Sequence, residues 1–171
     1  MPAGSTYTPI ATYTATGSQS AIDFISIPST YTDLVLVCNI SYASLGGNTG
    51  YVVNRVGNGS LDTGNNYSWT TLVGNGSAAS SGRTTNAPYI NPFTAVTGTN
   101  QVQIVYQFQN YSNSTTNKTL IIRTTQPNLD TQAIVSMWRS TSAINAIRVY
   151  DFSGYNFSST AMFTLYGIAA A

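Results

Sequence analysis

At 171 residues, the chain has the length of one domain and enough side chains for a core that needs neither metal nor disulfide. Charged residues make up only 6%, against about 25% in an ordinary soluble domain, and a net charge of +1 gives no electrostatic basis for holding nucleic acid or an anionic lipid surface. Histidine and glutamate are both missing, so Ser-His-Asp triads, Cys-His pairs and histidine-built zinc or iron sites are excluded, and no stretch approaches the roughly 18 apolar residues of a membrane-spanning helix.

Taken in chain order, the predicted elements are all strands. YTPIATYT opens the series near the amino terminus, and AIDFISI follows at 21–27. In DLVLVCNISY, period-2 alternation puts Leu34, Leu36, Cys38, Ile40 and Tyr42 on one face. GYVVNRV (50–56) and YSWTTLV (67–73) come next. In VQIVYQFQN, Val102, Ile104, Tyr106 and Phe108 point one way while Gln103, Gln107 and Gln109 point the other, the pattern of a strand with one wet face. KTLIIRT (118–124), AIVSMW (133–138), AIRVYDF (146–152) and MFTLYGI (162–168) complete the set.

The separators SLGGNTG (44–50), GNGS (57–60), DTGNN (62–66), GNGSAASSGR (74–83) and TGTN (97–100) are Gly, Asn and Ser clusters, where turns form at little cost. GNGSAASSG has no following lysine or helix that would make it a phosphate cradle, and it reads as a surface loop. The segment 139–147 is too short and too rich in Ser and Thr for a helix. No linker or repeat divides the chain. The expectation is a single all-β domain over residues 1–171, an antiparallel β-sandwich of jelly-roll-like order with about ten strands and no substantial helix.

Solubility without ions rests on Ser, Thr, Asn, Gln and Tyr. A surface short of charge repulsion and of long, rotamer-rich Lys and Glu favours packing against neighbours. Aromatics at 12% speak against disorder. Cys38, the one cysteine, reads as a buried thiol acting as a small apolar residue. The opening MPAGSTYTPI has neither the basic nor the apolar region of an export signal, so synthesis in a cytoplasm without Sec export is expected.

The acids are Asp23, Asp33, Asp62, Asp130 and Asp151, and no spacing pairs them as a glycosidase requires. The expectation is a protein with no catalytic residues, no cofactor and no metal. Asp62, Asn65 and Asn66 in DTGNN lack the further carboxylates a calcium loop needs, and an Asx-turn accounts for them. Tyr67 and Trp69 stand two apart on one face of a strand, beside two polar loops. They are the candidates for an interface or glycan contact, with core packing as the competing reading. Trp138 reads as core or interface.

Six segments, YTPIAT (7–12), IPSTYTDLVLV (27–37), NYSWTTLVGNGSAASSGR (66–83), FQNYSNSTTNKTLI (108–121), WRSTSAINAI (138–147) and FTLYGI (163–168), together resemble a family of small tailed-phage virion structural proteins. The stretch 43–62 carries no matching motif. The resemblance implies a virion component, made in the host bacterial cytoplasm, and no catalytic residues. The favoured placement is a capsid decoration or cement protein on the particle exterior, a homotrimer bridging copies of the major capsid protein. The alternative is a tail-fibre or baseplate component held by tail proteins and contacting host glycans. The chain shows no coiled coil, repeat or second domain of the kind a fibre shaft uses, which favours the first. Neither placement involves nucleic acid or a membrane.

Overall fold

The computed structural model describes residues 6–91, 95–98, 100–126 and 128–169. The opening residues 1–5 of the segment read for an export signal, and Thr99 of the TGTN turn, lie outside the described residues. Among the described residues there are thirteen strands: β1 (Tyr7–Thr14), β2 (Ala21–Phe24), β3 (Asp33–Ile40), β4 (Thr49–Asn58), β5 (Ser60–Leu61), β6 (Tyr67–Gly74), β7 (Ala79–Ala87), β8 (Ala95–Thr97), β9 (Val102–Gln109), β10 (Lys118–Gln126), β11 (Asp130–Trp138), β12 (Ala146–Asp151) and β13 (Met162–Ile168).

They form an eight-stranded sheet in the order β1-β13-β3-β9-β10-β11-β6-β7, and a five-stranded one in which β2-β12-β4-β5 is joined by β8, also on β4. Every pairing is antiparallel. Four pairings are nested: β1 with β13, β2 with β12, β3 with β9 and β4 with β8. That is the order a long antiparallel ribbon acquires when it wraps across two sheets, and it is jelly-roll-like. The remaining strands are insertions, with β10, β11, β6 and β7 widening the large sheet beyond β9.

The alternation read from the sequence places the core. Leu34, Leu36, Cys38 and Ile40 of β3 lie beside Ile104, Tyr106 and Phe108 of β9, all fully buried. Ile22 and Phe24 of β2, Val52 and Val56 of β4, and Ile147 and Val149 of β12 join them in one continuous apolar cluster spanning both sheets. Tyr42 lies just past β3, bridged to Phe157. AIDFISI pairs only as far as Phe24, and Ser26 beyond it stands at φ 55°.

Three strands were not among the ten expected. β5 forms where Gly59, at φ 75°, turns the chain so that Ser60 pairs back onto Asn58. β8 is a three-residue pairing with the start of β4. The larger correction is β7: GNGSAASSGR is not a loop throughout. It turns at Asn75, whose side-chain oxygen accepts the N–H groups of Ser77 and Ala78, and then pairs along the whole of β6. As an edge strand it is mostly exposed on both faces, so the alternation that betrays a strand is missing.

Candidate functional site

Tyr67 and Trp69 do share one face of β6, but it is the inner face. Tyr67 is wholly buried and Trp69 is 5% exposed. Their register partners on β11 are Trp138 and Ser136, which also point inward. The Tyr67 hydroxyl lies 2.9 Å from the carbonyl of Val56 and 3.0 Å from that of Asp62, and accepts the Val56 N–H at 3.2 Å. Burial pushes its phenol up. Trp69 stacks on Tyr89 with centroids 6.3 Å apart. The expectation of an interface or glycan contact is therefore corrected: both rings are core, and neither offers a face to a sugar. Trp138 is core as well.

The aspartates are engaged separately. Asp23 is held by Arg148 through two bonds of 2.6 Å, and Asp33 accepts the N–H of Asn110 at 2.6 Å. Asp62 forms the expected Asx-turn, accepting the Gly64 N–H at 2.8 Å, and also takes the Trp138 indole N–H. Asp130 accepts the side-chain amide of Gln132 at 3.1 Å. Asp151 is buried and accepts four donors: the Tyr42 hydroxyl and the N–H groups of Tyr51, Ser153 and Tyr155, at 2.7–2.9 Å. A carboxylate so saturated is a structural fastener. Among the described residues no three His, Cys, Asp or Glu side chains gather as a metal site requires. Cys38 is fully buried, and burial pushes its thiol up.

The feature sequence reasoning missed is the outer face of the eight-stranded sheet. One register row runs Arg83–Thr70–Val135–Ile121–Gln107–Val35–Tyr166 from β7 to β13, and the next runs Ser81–Leu72–Ala133–Arg123–Val105–Val37–Thr164. Leu72 is 62% exposed, Val135 56% and Met137 38%. Shallow concavities tile the β7–β9 part of this face. A signal was present: DLVLV and LII are apolar at both parities, which a strand with one wet face does not need.

Charge is sparse there: Asp33 stands beside Val35 on β3, and the cations lie toward the other side of the sheet. Arg55 donates to Pro88 O and lies over the Tyr150 ring, Arg139 donates to Asn65 O and Asn86, and the buried Lys118 ammonium donates to Thr116 O and Thr141 O. Among the described residues, Arg83 and Arg123 alone of the cations have no such partner, and both stand on this outer face. Set against known proteins, the chain matches no family model, no curated protein and no solved structure.

Proposed function

We propose that the domain is a non-catalytic structural subunit on the exterior of a tailed-phage particle, bound to the head as a decoration or cement protein. The observation that carries this reading is the outer face of the eight-stranded sheet, a broad, weakly charged surface with exposed Leu72, Val135 and Met137. Seven interstrand spacings of about 4.8 Å and strands of about 25 Å give it roughly 850 Å², close to one partner's share of a standard protein interface. The resemblance of the six quoted segments to phage virion proteins supports the same reading, as does a surface with few long charged side chains.

The function so proposed is burial. A subunit laid across neighbouring shell proteins removes apolar area from water, and many copies on a lattice act together. The test is gold-conjugated antibody against this chain on intact particles, viewed by electron microscopy. Label spread over the head is the expected result. Label confined to the tail would replace this reading with a tail-fibre or baseplate role.

A further inference from the structure

We infer that the outer face of the eight-stranded sheet docks on a protein surface that presents carboxylates to Arg83 and Arg123; this rests on the virion role proposed above. The two arginines lie on β7 and β10, three strand spacings and one register row apart, about 16 Å between their backbones, with Leu72, Ala133 and Val135 between them. Two unpaired positive side chains flanking an apolar strip suit a protein patch that brings carboxylates to either side of an apolar centre. They are too few, on a chain of net charge +1, to hold a polyanion such as nucleic acid.

A second copy of this chain is the competing occupant, because Asp33 stands on the same face as Val35 and Val37 of β3 and could meet an arginine of a copy. Arginine-dependent self-association of the purified chain, measured by sedimentation, would overturn a foreign partner. Arginine suits the role, since its planar fork meets a carboxylate through two parallel bonds.

The test uses phage particles lacking this protein, to which the purified full chain is added back at low and high salt. The wild-type chain is expected to bind, more weakly as salt rises. The double variant R83Q/R123Q should bind at least about tenfold more weakly at low salt and lose most of the salt dependence. Val135→Glu should weaken binding more than Val135→Gln, because the two side chains are equal in size and only the charge differs. A double variant that binds like wild type, or equal losses for the two Val135 variants, would overturn the inference.

Wild-type binding located on the tail, with the same variant pattern, would overturn head decoration and leave the docking face standing. Wild-type chain that binds no part of the particle would overturn both. Arginine-dependent binding to host lipopolysaccharide vesicles in place of the particle would assign the face to an anionic glycan and overturn a protein partner.

Discussion

The carboxylate of Asp62 accepts the indole N–H of Trp138 at 2.7 Å, joining positions 76 residues apart. The same side chain accepts the Asn66 amide at 2.9 Å and the Gly64 N–H at 2.8 Å, so one acid both shapes its own loop and pins it to the end of β11. Partial burial by itself would raise this carboxyl. The bonds from Trp138, Asn66 and Gly64 outweigh it and hold the group below its ordinary value.

Asp62→Ala is therefore expected to lower stability by about 2 kcal/mol, since a buried indole N–H loses its acceptor. In a domain of this size that is roughly 4–8 °C in Tm. A depressed carboxyl contributes above its unfolded value, and the contribution disappears as pH falls through the folded one. The gap between wild type and variant in thermal unfolding should thus close on strong acidification. A gap unchanged by acid would mean that the loop, not the charge, sets the cost.

Gly57 and Gly167 separate two kinds of tightness. A Cβ on Gly57 would fall 1.9 Å from the carbonyl oxygen of Ser60, a backbone atom in the paired β5. A Cβ on Gly167 would fall 2.3 Å from Cγ of Tyr31, at the root of the ring, so the whole partly buried side chain would have to move. Gly57→Ala is expected to cost about 3 kcal/mol and Gly167→Ala about 2, because a side chain can yield where a paired backbone cannot. Denaturation midpoints of the two variants check the order, and the reverse order would refute the account.

Alkali should unfold this protein more readily than mild acid. Burial raises the phenols of Tyr42, Tyr67, Tyr106, Tyr111 and Tyr150, so above about pH 10 the unfolded chain releases protons that the folded one keeps. Their stabilisation is whole below the unfolded value and is lost as pH rises beyond it. Lys118 works in the other direction: burial lowers it, so its penalty shrinks as pH approaches the ordinary lysine value. It is one group against six, since burial raises the Cys38 thiol as well. With no histidine, Tm is expected to stay level from about pH 5 to 8 and to fall steeply above about 10. Phenolate absorbance from the buried tyrosines should appear only with unfolding.

On the inner face, the hydroxyls of Thr71 and Ser136 are buried with no hydrogen-bond partner. Thr71→Val and Ser136→Ala remove polar atoms from a buried position without opening much space. Each is expected to be neutral or to stabilise by about 1 kcal/mol, read from chemical denaturation. A loss of that size would show that the hydroxyl contributes a bond.

The sequence made the core strands legible because burial on one side writes itself as alternation. Val102, Ile104, Tyr106 and Phe108 announce β9, and Leu34 to Ile40 announce β3 in the same way. β7 left no such trace, since an edge strand with nearly all of ASSGRTTNA exposed needs no apolar side. Tyr67 and Trp69 were legible as a pair on one face, but not as to which face. That depends on β6 lying beside β11, a contact set by residues 60 and more positions away. The outer face was hidden for a related reason. Leu72, Val135 and Arg123 become neighbours only across β6, β11 and β10, and nothing local in any one strand joins them.

The nested pairing has a consequence for how the chain is made. Tyr7 opposes Ile168, so the first strand waits for the last before it can close. At about 5–20 residues per second, synthesis of this length takes roughly 10–30 s, during which β1 emerges with no antiparallel partner to receive it. β3 is better placed, because β9 leaves the ribosome well before β13, and β9, β10 and β11 follow one another as a meander. Folding should therefore start in that middle meander and finish by docking both ends together. A chain stopped short of β13 would carry the open edge of β3 alongside an unmatched β1, which is the arrangement most prone to pair with a stranger.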